Sequence, residues 1–152
     1  MDPQNNQTIL LVEDEENDVF FFRRAVANSP YIKSFETVKD GREAVQFLKR
    51  EGRYAELKGQ SLPNVVMTDL KMPVMNGFEL LEWLKQHPEC GIIPAMVYSS
   101  STDEQDVCRA FKLGANAYFA KPTKLDEMVG LLHFIYEFWS RSEIPPLEDE
   151  CK

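Results

Sequence analysis

The chain has 152 residues, 43% hydrophobic and 28% charged, which suits one globular domain with its own core and leaves no room for a second. A formal charge of −8, with no dense Lys/Arg cluster to offset it, argues against a nucleic-acid groove, because displacing counterions from phosphates takes a basic stripe. Residues 1–7 lack the basic and apolar stretches of a signal peptide, and no apolar run approaches the roughly 20 residues that span a bilayer, so a soluble cytoplasmic protein is expected, with no membrane partner.

In chain order, residues 1–7 read as a disordered N-terminus, and Thr8 to Val12 is a short, branched, apolar run that reads as a buried strand ending in Glu13-Asp14. Val19, Phe22 and Val26 then recur at helical spacing, with Arg23 and Arg24 towards the far end and Asn28-Ser29-Pro30 as the stop. Of Phe20, Phe21 and Phe22, one ring is expected to be exposed, because three consecutive positions cannot share one helix face. Tyr31 to Val38 reads as a second strand, and Asp40-Gly41 introduces a helix with Ala44, Val45, Phe47 and Leu48 on its apolar side. Gly52 to Pro63 is a polar, irregular connection. Val65-Val66-Met67 is the third strand and again leads to an acid, Asp69.

Asn76-Gly77 opens a third helix marked by Phe78, Leu81 and Leu84, and Ile92 to Tyr98 reads as a fourth strand leading into Ser99-Ser100-Ser101. Thr102 with Gln105 has the spacing of a capping box for a fourth helix carrying Val107, Ala110 and Phe111, stopped near Gly114. Ala117 to Ala120 is a fifth strand, Lys121-Pro122 a turn, and Leu125, Met128, Val129, Leu132 and Ile135 form the stripe of a last helix. A folded domain over 8–139 is expected, followed by an acidic, flexible tail over 140–152. Cys90, Cys108 and Cys151 are odd in number with no Cys-x-x-Cys pair, which predicts reduced thiols and no cysteine-rich zinc site. His87 and His133 are isolated and read as surface or packing residues.

Five strand-helix units in alternation predict a three-layer α/β fold: a parallel sheet covered on both faces by right-handed crossovers. Ligands in such sheets sit beyond the carboxyl ends of the strands at the topological switch point. Glu13, Asp14, Asp69, Ser99 and Lys121 all fall at that edge. Two carboxylates held 4 Å apart repel by roughly 4 kcal/mol at an effective dielectric near 20, so a positive charge must sit among these acids. Lys121 and a hard divalent cation are the candidates, and Mg²⁺ suits the site because it needs only one or two carboxylates beside water and phosphate oxygens. The chemistry that follows is in-line attack of an Asp carboxylate on phosphorus, with Ser99 and Lys121 on the phosphoryl oxygens.

Leu-Leu-Val-Glu-Asp at 10–14, Thr-Asp-Leu-Lys-Met-Pro-Val-Met-Asn-Gly at 68–77, Tyr-Ser-Ser at 98–100 and Tyr-Phe-Ala-Lys-Pro at 118–122 resemble the signature blocks of bacterial two-component response-regulator receiver domains. The resemblance covers about Thr8 to Trp139. It implies the flavodoxin-like (CheY-like) fold, a five-stranded parallel sheet of order 2-1-3-4-5 with five helices. It implies Asp69 as phosphoacceptor; Asp14, Asp69, the Lys71 backbone carbonyl and Glu13 (directly or through water) as ligands of Mg²⁺ or Mn²⁺; Ser99 and Tyr118 as switch residues; Lys121, with Ser99, as the catalytic groups on the phosphoryl oxygens; Ser100 as the small residue leaving room for the phosphoryl group; and a cis peptide before Pro122. Glu13 replaces the commoner Asp, Ser99 the commoner Thr, and the 52–63 connection is longer than in compact receivers, as in single-domain response regulators resembling those found beside phytochrome-type kinases. The partner implied is a histidine kinase or phosphotransfer protein, with no independent substrate turnover. Surplus aromatics Phe134, Tyr136, Phe138 and Trp139 add the expectation of a homodimer through the fourth helix, fifth strand and last helix. Two alternatives stand beside this: a degenerate receiver serving as a binding scaffold, and an Asp-nucleophile phosphohydrolase. The second is disfavoured because sites resembling the haloacid dehalogenase family carry an acid two positions after the nucleophile, where this chain has Lys71.

Overall fold

Along the first strand, β1 (Thr8–Val12), successive side chains leave on opposite faces, and both faces are covered: Leu10 and Val12 enter one apolar cluster, Ile9 and Leu11 another. The computed structural model describes residues 8–32 and 34–143. After β1 come α1 (Glu16–Ala27), β2 (Ser34–Val38), α2 (Gly41–Lys49), a 3-10 helix (Gly52–Leu57), β3 (Val65–Thr68), α3 (Gly77–Gln86), a one-turn α4 (Pro88–Gly91), β4 (Ala95–Ser99), α5 (Glu104–Lys112), β5 (Ala117–Ala120) and α6 (Leu125–Ser140). All strand pairs are parallel, in the order β2-β1-β3-β4-β5. The expected layering and strand order are therefore present.

One face packs on α2, α3 and α5 through Ala44, Phe47, Leu48, Phe78, Leu81, Leu84 and Ala110. The other packs on α1 and α6 through Phe22, Ala25, Val26, Met128, Leu132 and Ile135. β1, β3 and β4 are sandwiched between them, whereas edge strand β5 is half-buried and ends exposed at Ala120. Among the three consecutive phenylalanines, Phe20 is exposed and Phe22 fully buried, as one helix face requires.

Several boundaries differ from the sequence expectations. β2 begins at Ser34, not Tyr31, because the Tyr31 ring is stacked on Tyr136 of α6, 4.8 Å between centroids. β4 begins at Ala95, not Ile92, because Pro88 starts an extra helical turn and the Ile93 amide still donates to the Cys90 carbonyl. Among the described residues the α-helices therefore number six, not five. α5 is capped by Asp103, whose carboxylate accepts the Gln105 amide at 2.8 Å, rather than by Thr102. The 52–63 connection is not irregular throughout. Its 3-10 helix is tied to α2 by Arg53 and Tyr54, which both engage the Glu43 carboxylate, and buried Arg50 donates to the carbonyls of Phe47 and Ser61. Cys108 is an exposed free thiol, while Cys90 is buried and disulfide-bonded, against the expectation of reduced thiols throughout. The expectations for residues 1–7 and for the tail beyond 143 lie outside the described residues.

Candidate functional site at the carboxyl edge of the sheet

Parallel register carries the polar residues to one edge. Val12 is level with Thr68, Thr68 with Val97, and Ser99 with Ala120, so Glu13, Asp69, Ser99 and Lys121 emerge side by side. Backbone bonds lock the row: the Asp69 amide donates to the Val12 carbonyl at 3.0 Å, and the Lys121 amide to the Ser99 carbonyl at 2.9 Å. β1 and β3 are neighbours although β2 lies between them in sequence, so their ends form the switch point of the sheet.

The loop after Asp69 is held against the site by two glycines. A Cβ on Gly77 would stand 2.1 Å from the Asp69 carbonyl oxygen and 2.9 Å from Leu70 Cα, so only glycine permits the Gly77 amide to donate to the Leu70 carbonyl. A Cβ on Gly41 would meet Met75 at 2.8 Å, and the Gly41 amide donates to the Met75 carbonyl, joining the start of α2 to the same loop. Between these anchors the exposed Val74 adopts φ 67°, and the Met75 amide donates to the Pro73 carbonyl, a tight three-residue turn that branched residues rarely tolerate. Asn76 and Glu79 form the reciprocal cap that starts α3.

Inside this frame, Lys121 supplies the positive charge that the acids require. Its ammonium donates to Asp69 Oδ2 at 2.8 Å, to Asp18 Oδ2 at 2.7 Å and to Glu13 Oε1. The Asp69 carboxylate is further fixed by the Leu70 amide, 2.6 Å from Oδ1. Burial pushes the Glu13 carboxyl up to about 7 despite the lysine bond, with the Asp69 charge adding to the rise. Lys121 is held above its usual value: burial alone would lower it, and the hydrogen bonds to Asp18, Asp69 and Glu13 together outweigh that. The ammonium also stands 5.5 Å from the ring centroid of Tyr98, whose hydroxyl burial pushes up to about 12.

A second chain of hydrogen bonds, made mostly of hydroxyl and backbone groups, lies on the β4–β5 side. Ser99 is buried, and its Oγ accepts the Ser101 amide at 3.1 Å. The Tyr118 hydroxyl donates to the Ser101 carbonyl at 2.8 Å, and the Ser101 hydroxyl donates to Asp106 at 2.7 Å. Ser100 is exposed beside them, as is Lys71 on the β3–α3 loop.

The expected residues Glu13, Asp69 and Lys121 thus meet directly, and Ser99 and Tyr118 are joined through Ser101. Asp18 was not anticipated; its signal was its place four residues after Asp14, in the first turn of the helix that follows β1. The expected cis peptide before Pro122 is absent: the bond is trans. An X–Pro bond prefers trans by only about 0.5–1 kcal/mol, so neither isomer is dictated locally, and trans geometry already lets Lys121 reach its three acceptors.

Whether the acids fit a cation is answered by Asp14. Its Oδ1 is buried without a hydrogen-bond partner, and Asp14 lines a cavity of about 180 Å³ together with Glu13, Glu43, Lys39 and Arg53, a lining that does not include Asp69. A buried, unpaired carboxylate oxygen is costly unless something positive is to be bound there. Among the described residues no three His, Cys, Asp or Glu side chains are arranged to cage a metal. The donors are hard oxygens and fit a hard divalent ion.

A doubly covered parallel sheet of this order, with acids at its switch point and a lysine from the edge strand among them, defines a receiver domain. Comparison with known proteins agrees: a family model described as the response regulator receiver domain matches residues 9–133, and the chain belongs to that family. More particularly, it is homologous to single-domain response regulators of two-component systems. It is 31% identical over 133 residues to the response regulator Rcp1 of Synechocystis, 88% of each chain. Among solved structures it is similar to the phosphorylated cyanobacterial phytochrome response regulator RcpA, at 34% identity, TM-score 0.80, and 92% of this chain against 99% of that one. The Mn²⁺-bound form of Rcp1 matches at 30% identity and TM-score 0.76, covering 91% and 99%. No helix among the described residues is long and apolar enough to cross a membrane.

Proposed function

We propose that Asp69 is the phosphoacceptor of this receiver domain, taking a phosphoryl group from a histidine kinase or phosphotransfer protein in the cytoplasm. The observation that carries the reading is the Asp69 carboxylate itself: one oxygen is pinned by the Leu70 amide at 2.6 Å and the other faces the Lys121 ammonium at 2.8 Å, at the switch point of the sheet. In the reaction a carboxylate oxygen forms a bond to phosphorus while the bond from phosphorus to the donor's nitrogen or oxygen breaks, its electron pair leaving with the donor. Lys121 neutralises the phosphoryl oxygens, and the Ser99 hydroxyl, whose oxygen accepts the Ser101 amide and leaves its own hydrogen free, donates to one of them. Ser100, small and exposed, leaves space.

Mg²⁺ is the proposed cofactor, with Mn²⁺ as a substitute; Asp14, Asp69, the Lys71 carbonyl and Glu13, directly or through water, would hold it. When bound, such an ion supplies charge neutralisation for the phosphoryl oxygens. The chain's own catalysis is confined to itself, because Lys71 stands where a hydrolase of the Asp-nucleophile type would place its second acid.

Tyr118 is proposed to report the state of Ser99. Their link through Ser101 supports this, since moving the Ser99 hydroxyl towards a phosphoryl group disturbs the segment that holds the tyrosine. The output surface would then be α5, β5 and α6, where Phe111, Phe134 and Phe138 are about half exposed, and a homodimer through this face is part of the proposal. Light scattering that finds a monomer at high concentration, with and without beryllofluoride, refutes the dimer.

The central test is intact mass after incubation with phosphoramidate or acetyl phosphate and Mg²⁺. One added phosphoryl group is expected on the wild type and none on Asp69→Asn. An unchanged wild-type mass favours a binding scaffold, and sustained hydrolysis of unrelated phosphate esters favours an enzyme.

A further inference from the structure

The Lys121 ammonium has three N–H donors, and three different carboxylates take them. Two of those acceptors are committed elsewhere during the reaction proposed above. Asp69 becomes an acyl phosphate, and Glu13 is a proposed metal ligand. Asp18 is neither. It projects from the first turn of α1, not from a strand end, and more than a third of its side chain is exposed, whereas the Lys121 side chain is 9% exposed. A carboxylate that can stay hydrated yet reaches a buried ammonium at 2.7 Å is suited to hold it without competing for phosphorus or metal.

We propose that Asp18 is a positioning residue for phosphoryl transfer, a fixed anchor that holds Lys121 in place while its other two partners change; this rests on Asp69 being the phosphoacceptor. Without the anchor, the lysine hangs from Glu13 and Asp69 alone. Phosphorylation then removes one of those acceptors, and the long, flexible side chain must find the phosphoryl oxygens unaided. Exposed ion pairs contribute little as a rule, but this one has a buried, shared partner.

The test is the rate of phosphorylation by phosphoramidate, read by mass, in wild type, Asp18→Ala, Asp18→Glu, Lys121→Met and the Asp18→Ala/Lys121→Met pair, each across a Mg²⁺ titration. Asp18→Ala is expected to be slower by roughly tenfold at saturating Mg²⁺, the scale of one charge-assisted hydrogen bond, with apparent Mg²⁺ affinity within about threefold of wild type. Asp18→Glu is expected to recover most of the rate. In the Lys121→Met background, Asp18→Ala is expected to change the residual rate less than about twofold, because the anchor then has nothing to hold. A wild-type rate in Asp18→Ala overturns the proposal, as does a loss cured by excess Mg²⁺ or an equal loss with and without Lys121. Should Lys121→Met not fold, the Mg²⁺ titration of the two Asp18 variants decides alone. A wild type that takes no phosphoryl group refutes the Asp69 reading instead, so the two failures are distinct.

Discussion

The two halves of the site are built from different interactions. On the β1–β3 side, three carboxylates converge on one buried ammonium, and the backbone after Asp69 is locked by Gly77, where any Cβ would clash with backbone atoms. On the β4–β5 side, Ser99, Ser101 and Tyr118 are joined by uncharged hydrogen bonds, each worth only about 1 kcal/mol net, on a half-buried edge strand. On the proposed reading, the first half would hold the reacting groups in place, and the second, whose bonds can be rearranged at small cost, would report their state.

The comparison can be broken most severely at Gly77. Gly77→Ala places a methyl group 2.1 Å from the Asp69 carbonyl oxygen, a backbone clash that no rotamer relieves. A loss of more than about 3 kcal/mol in denaturant unfolding is expected. Next is Lys121→Met, which leaves Glu13 and Asp69 buried without their cation. Roughly 3 kcal/mol of destabilisation is expected at pH 8, and less at pH 5, measured the same way.

Smaller is the effect of pH on the metal-free wild type. Glu13 titrates near 7 in the folded protein against an ordinary value of 4.5, so between these values the folded state binds more protons than the unfolded one. Stability conferred by the protonated group is present below about 4.5 and is lost as pH rises through about 7. Lys121, raised rather than lowered, stays charged in both states throughout this window and adds no slope. Melting from pH 5 to pH 8 should therefore show a fall on the order of 1–2 kcal/mol, and Glu13→Gln should flatten it.

The smallest change is expected on the uncharged side. Tyr118→Phe removes one hydrogen bond to the Ser101 carbonyl and should lower stability by about 1 kcal/mol or less. Its phosphorylation rate should stay within about twofold of wild type. A loss comparable to that of Lys121→Met would show that the two halves are not separable.

Much of this site is legible in the sequence. Asp69 and Glu13-Asp14 each follow a short apolar run, and Ser99 and Lys121 each close a strand, so parallel pairing alone aligns them. Gly77 and Asn76 were likewise visible as a helix start. The polar insertion at 52–63 was not legible as structure, since its 3-10 helix is organised by Glu43 and by the backbone carbonyls that Arg50 bridges, not by any period of its own. The start of β4 departs from the apolar pattern for a related reason: Ile92 and Ile93 are apolar, but Pro88 gives the segment a helical turn first.

The order of elements, the two-faced burial of the central strands and the acids at their ends were determined by the sequence itself, because hydrophobic period and strand-end chemistry are local properties. The partners of the lysine were decided only in three dimensions. Asp18 and Lys121 are 103 positions apart, and Glu13 and Lys121 are 108 apart. No local pattern encodes such a contact; it exists because a parallel sheet brings all its carboxyl ends to one edge, where buried carboxylates draw in the nearest cation that can reach them.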